Sequence, residues 1–132
     1  MTDDEPFLDC TLWQILLEQL SGSGFAPGAG IGLLRKEAFA AGQGSLMILR
    51  KEASGMRALV REYSGEPGAD VMILLVLNAA ALETLQTHGL ICARALVRQG
   101  GLQPYILKTM DELEAAGMED FIEDLGLTFP TH

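Results

Sequence analysis

The length of 132 residues, with 48% hydrophobic and 20% charged residues, indicates one globular domain over 1–132 and excludes a disordered chain. The net charge of −9 predicts repulsion from nucleic-acid phosphates and anionic lipid headgroups, so we expect no binding to nucleic acid or membrane. The longest apolar stretch covers residues 71–82 and contains Asn78, whereas a membrane-spanning helix needs roughly 20 apolar residues.

Apolar residues at helical spacing predict a first helix over residues 8–20. The next segment, residues 21–32, is rich in glycine and is predicted to be a loop that Phe25 anchors to the core. Its glycines do not have the spacing of a P-loop or of a dinucleotide-binding fingerprint, so they predict no nucleotide site.

Residues 45–63 fit two different structures. Their apolar residues recur at steps of three and four, which is typical of a helical face, but Gly55 would cost about 1 kcal/mol inside a helix. A hairpin that turns at residues 54–55 would place Glu52 opposite Arg57, a favourable pair. We favour the hairpin, because the apolar run that follows needs neighbouring strands.

That run, Val71–Leu77, consists of seven apolar residues without polar alternation. Such a pattern predicts a strand that is buried on both faces and lies at the centre of the core. Asn78 is a suitable cap for a helix over residues 79–99, which Gly89 is expected to bend or divide.

The C-terminal part of the chain has clear helix signals. Residues 105–107 are either a short strand or the lead-in to a helix. Thr109 and Glu112 form a capping-box pattern that opens a helix ending at Ala116. A last short helix is predicted over residues 119–125.

These elements predict an α+β fold: a helix-rich single domain with a small, mostly antiparallel sheet. The alternative is an all-α bundle in which residues 45–63 and 71–88 are long helices. The low content of β-branched residues, with eleven Val and Ile together against 22 Leu, favours that alternative.

His88 and Cys92 are the best chemical pair in the sequence. They are four residues apart on one predicted helix, so they would share a face, and a histidine can activate a cysteine thiolate. Arg94 and Arg98 have the same spacing and could bind a carboxylate or a phosphate. The sequence has no further ligands at suitable spacing, so we expect neither a metal site nor a cofactor.

Four acidic residues near the C-terminus are a candidate interaction surface. Like charges stand four apart in two pairs, which favours a solvated acidic face over a cation site. The calcium-loop pattern is absent. The four residues are Glu119, Asp120, Glu123 and Asp124.

The acidic charge lies at both ends of the chain, with −5 over residues 1–34, +2 over 35–98 and −6 over 99–132. This distribution predicts a non-enzymatic adaptor or chaperone-like protein, a homodimer, that binds a basic or amphipathic protein segment. The alternative is a small enzyme or small-molecule-binding protein with a pocket near the 21–32 loop and the His88–Cys92 pair. Two cysteines without a disulfide pattern and an acidic N-terminus predict a cytoplasmic location.

Overall fold

A computed structural model describes residues 25–53, 55–88, 92–118 and 122–123. Within them, five strands form one mixed sheet with the strand order β3-β2-β1-β4-β5. The strands are β1 (Gly30–Arg35), β2 (Gly44–Glu52), β3 (Gly55–Tyr63), β4 (Val71–Leu77) and β5 (Leu102–Ile106). The helices are α1 (Lys36–Ala41), α2 (Ala79–His88), α3 (Ala93–Gln99) and α4 (Met110–Ala115).

The fold is α+β, but the prediction that it is rich in helix is wrong. Of the described residues, about 38% are in strands and 35% in helices, and the sheet has five strands rather than being small. Strand β1 pairs antiparallel with β2 and parallel with β4, so the sheet is mixed at its centre. The all-α alternative is wrong as well, because residues 44–52, 55–63 and 71–77 are strands.

Strand β4 has the bounds predicted from its apolar run, and it is hydrogen-bonded on both sides, to β1 and to β5. Six of its seven residues are buried. A strand with neighbours at both edges and packing on both faces has no position for a solvated side chain, which explains the missing polar alternation.

The hairpin over residues 45–63 is confirmed, but its register differs from the prediction. Glu52 lies opposite Gly55, and Arg57 lies opposite Arg50. Arg57 and Glu52 nevertheless form an ion pair across the hairpin, diagonally rather than directly opposite. An Arg57 nitrogen is 3.5 Å from a Glu52 carboxylate oxygen. Each residue of β2 therefore faces a residue of β3 two positions earlier in the chain than predicted.

Strand β1 occupies the end of the segment that was predicted to be a loop. Its glycines are needed for packing: a Cβ atom on Gly32 would lie 3.1 Å from side-chain atoms of Val71 and Leu74 and 3.2 Å from Leu46. The large side chains of the neighbouring strands therefore occupy the space that a side chain at Gly32 would need. They can pack there because glycine has no side chain. Phe25 is buried, as predicted.

Two apolar clusters lie on opposite faces of the sheet, because successive residues of a strand alternate between its faces. The larger cluster contains Leu33 and Leu75 and includes buried residues of α2, α3 and α4. The smaller cluster contains Leu34 and Val76, and Ala38 of α1 packs against it.

The helix caps agree with the sequence. The Asn78 side chain accepts a hydrogen bond of 2.8 Å from the Ala81 amide at the start of α2, and Thr109 forms the complete capping box with Glu112. The predicted helix over residues 79–99 is divided into α2 and α3. The first predicted helix, residues 8–20, and most of residues 119–125 lie outside the described residues.

No helix in the described part of the chain is long and apolar enough to cross a membrane.

Candidate functional site: an exposed apolar patch at one sheet edge

Large apolar side chains are exposed at the edge of the sheet formed by β5. The Tyr105 ring is 5.1 Å from the Phe39 ring of α1, measured between centroids. The exposed fractions of the residues are 36% for Phe39, 37% for Tyr105, 42% for Ile106 and 39% for Leu107. We call these four residues the edge patch.

The topology explains why the edge patch is exposed. Strand β5 pairs with β4 on one side, and Tyr105 and Ile106 lie opposite Leu74 and Ile73. Because neighbouring residues of a strand point to opposite faces, consecutive apolar residues place apolar surface on both sides of the edge. Aromatic residues next to aliphatic ones at the surface are typical of protein-binding sites.

An acidic helix follows the edge patch directly in the chain. Helix α4 begins three residues after Leu107 and carries exposed Asp111, Glu112 and Glu114. Hydrogen bonds from the Thr109 side chain and backbone amide lower the pKa of Glu112 below its usual value, so its carboxylate is ionised at neutral pH. The edge patch is therefore followed closely in the chain by fixed negative charge.

His88 and Cys92 lie at the ends of two different helices. His88 is the exposed last residue of α2, whereas Cys92 is the half-buried residue that precedes α3. The Cys92 thiol lies 3.8 Å from the carbonyl oxygen of Thr84, to which it donates. Burial raises the pKa of Cys92, which disfavours the reactive thiolate at neutral pH.

The other residues singled out in the sequence are at the surface or outside the described residues. Arg94 and Arg98 are both exposed on α3. Glu123 is exposed, and the other members of the acidic group are outside the described residues: Glu119, Asp120 and Asp124.

A charged network joins the hairpin to the loop before β4. Both guanidinium nitrogens of Arg61 donate to the Asp70 carboxylate, at 2.7 and 2.9 Å, and Arg50 donates to it at 3.1 Å. Arg61 also donates to the Pro67 carbonyl at 3.0 Å. Mainly through the hydrogen bonds from Arg61, the pKa of Asp70 is lowered to about 2. This network holds the loop against β2 and β3.

A small cleft of about 140 Å³ lies between α2, α3 and the start of β5. Its polar lining includes Asn78 and Thr84, whose oxygens already bond to helix backbone, together with Gln99. The cleft is lined by neither His88 nor Cys92. Sites for drug-sized ligands are larger, roughly 300–1,000 Å³, so this cleft suits only a very small molecule.

Among the residues that the structure describes, no three His, Cys, Asp or Glu side chains are grouped so that they could hold a metal ion.

Comparison with known proteins identifies no family. No protein-family model matches the chain, and no curated protein matches it. Among solved structures, the chain is similar to sterol carrier protein 2 from Yarrowia lipolytica in its apo form, with 18% sequence identity and a TM-score of 0.39. The similarity covers 93% of this chain and 81% of the other.

The edge patch was not predicted from the sequence, although the sequence contains a pattern that indicates exposed apolar residues. The consecutive residues Tyr105, Ile106 and Leu107 cannot all point to one face of a strand. At an edge strand, such a run leaves apolar side chains in contact with solvent.

Proposed function

We propose that this protein acts by binding a partner protein through the edge patch, as an adaptor or chaperone-like module rather than as an enzyme. The observation that supports the proposal is the exposure of Phe39 and Tyr105, whose rings are in contact, together with the exposure of Ile106 and Leu107 at the same edge of the sheet. Tyrosine and other aromatic residues contribute strongly to protein interfaces, because they bury a large area with little loss of side-chain entropy.

The occupant that fits is a basic, amphipathic segment. Its apolar side would cover exposed side chains of the edge patch on one face of the sheet, and the carboxylates of α4 would attract its lysines or arginines. The net charge of −9 adds a long-range attraction for such a segment. We also propose a cytoplasmic location, which rests on the use of two cysteines without a disulfide pattern.

The replacement of Tyr105 by serine is expected to weaken binding at least about tenfold, or about 1.4 kcal/mol, because it removes an aromatic contact. The probe is a synthetic amphipathic peptide of leucine and lysine, with binding measured by calorimetry. Thr87→Ala, at an exposed position on α2, is the control variant and should bind as the original protein does.

The same peptide with glutamate in place of lysine is the control probe, and it should bind more weakly. Binding of the lysine peptide should also weaken when added salt shortens the Debye length to about 3 Å. Equal affinity for the two peptides, or unchanged affinity of the Tyr105→Ser variant, would contradict the proposal.

A small-ligand function is the second candidate, and the cleft beside α2 and α3 supports it. Fragment screening by NMR distinguishes the two candidates. Perturbed amide signals at Thr84 and Gln99 would support the cleft, whereas perturbations limited to Tyr105 and Ile106 would support the edge patch.

A further inference from the structure

Strand β5 has exposed apolar side chains, but its backbone is a poor edge for another strand. The Asn78 amide donates to the Gly101 carbonyl and the Leu107 amide to the Met72 carbonyl, each at 3.0 Å. Backbone groups of a strand alternate in direction, so the even-numbered residues of β5 turn theirs outward. The middle one is Pro104, which has no N–H group, so an added strand would lack the central hydrogen bond of its ladder.

The two faces of the sheet carry different parts of the edge patch. Tyr105 lies opposite Leu74 of the smaller cluster, whereas Ile106 lies opposite Ile73 of the larger one. Residues directly opposite each other in an antiparallel pair have their side chains on the same face. Tyr105 is therefore on the face against which α1 packs, where its ring contacts Phe39, and Ile106 is on the other face.

The position of Phe39 also argues against an added strand. A further strand would lie about 4.8 Å beyond β5, in the plane of the sheet. Phe39 belongs to α1, which packs through Ala38 against the smaller cluster, and the residues of that cluster come from β1 to β4. An added strand would lie on the other side of β5 from α1 and would leave Phe39 uncovered.

We propose that the partner segment binds as an α-helix on the face that carries Phe39 and Tyr105, and not as a strand added to β5. This inference rests on the proposed function and specifies the conformation of the partner. A helix needs no hydrogen bonds from the sheet edge, because its N–H and C=O groups bond to each other. It is about 10–12 Å wide with its side chains, so it can cover both rings. Its apolar side chains three or four positions apart are separated by about 5–6 Å, which matches the 5.1 Å between the ring centroids.

Charge directs a basic helix to the β5 end of this face. Arg50 shares the face with Ile48 of the smaller cluster, two residues earlier on β2. The ion-pair network of Arg50 and Asp70 combines three arginines with two carboxylates, so its net charge is +1. Helix α4 carries three exposed carboxylates and no basic residue. It begins within about 11 Å of Leu107, because three residues of chain span no more. A basic helix is therefore repelled from the hairpin and attracted towards β5.

A stapled form of the leucine–lysine peptide tests the conformation of the bound segment. A hydrocarbon bridge joins two positions four residues apart outside its apolar side, with the number of lysines unchanged. The bridge holds the peptide as a helix, so it cannot become a strand. In calorimetry, the stapled peptide should bind at least as tightly as the unstapled one, because its helix is formed before binding.

Weaker binding after stapling would overturn the helical proposal and leave the proposed function standing, since the unstapled peptide tests that function. Failure of both peptides to bind would contradict the proposed function and the helical proposal together.

Two variants test the face on which the helix lies. Phe39→Ser should weaken binding of the stapled peptide at least about tenfold, because it removes one of the two rings. Ile106→Ser removes a similarly exposed apolar side chain from the opposite face, 42% against 36%, and should leave the affinity unchanged. Circular dichroism checks that both variants are folded. Equal weakening by the two substitutions, or no effect of Phe39→Ser, would overturn the proposal.

Discussion

The Leu75→Ala variant is expected to lose about 2–5 kcal/mol in its free energy of unfolding. Leu75 is completely buried in the larger apolar cluster, on a strand that has neighbours at both edges. Removal of its side chain leaves a cavity that the rigid sheet can close only in part, so lost burial and lost packing add together. Urea denaturation followed by circular dichroism measures the change.

Ile106→Ala is the matched control for this variant. Ile106 is also an aliphatic residue of the sheet, but it is 42% exposed on β5, so its removal should change the free energy of unfolding by no more than about 0.5 kcal/mol. If Leu75→Ala cost as little as Ile106→Ala, the central position of β4 in the core would be refuted.

Asp70→Asn is expected to reduce the free energy of unfolding by about 1–2 kcal/mol at neutral pH. The substitution removes the negative charge that two guanidinium groups share, at 2.7 Å from Arg61 and 3.1 Å from Arg50. Hydrogen bonds between charged groups contribute about 1.5–3 kcal/mol, and partial contact with water reduces that figure here. Glu66→Gln, at an exposed position in the same loop, should have little effect.

The effect of Asp70→Asn should depend on pH in a defined direction. The pKa of Asp70 is lowered from 3.8 to about 2 in the folded protein, so the unfolded chain binds this proton more readily. The stabilisation by Asp70 is therefore complete above its ordinary pKa and is lost as the pH falls towards 2. The stability difference between the two proteins should shrink over that interval; a difference that grows there would contradict the ion-pair network.

Local patterns predicted the elements of this fold better than their arrangement. The bounds of β4 and the capping box at Thr109 follow from neighbouring residues alone and are confirmed. The helix-rich prediction was wrong because Gly30 and Gly32 resemble loop residues. Their strand conformation depends on side chains from β2 and β4, which lie far away in the sequence. The parallel pairing of β1 with β4 is likewise a contact between distant segments.

The candidate site was harder to predict than the fold. The chemistry and spacing of His88 and Cys92 predicted a pair on one face of one helix, but the structure places them at the ends of separate helices. The edge patch combines α1 with β5, which are separated by most of the described chain. No local pattern links Phe39 to Tyr105, so their contact could be found only in three dimensions.

Native-state hydrogen exchange of the β4 amides tests most directly whether this strand is the centre of the sheet. Amides from Ile73 to Leu77 should exchange only through global unfolding, with a protection free energy equal to that from urea denaturation. Exchange of these amides as fast as that of the α4 amides would show that β4 is not enclosed between two strands.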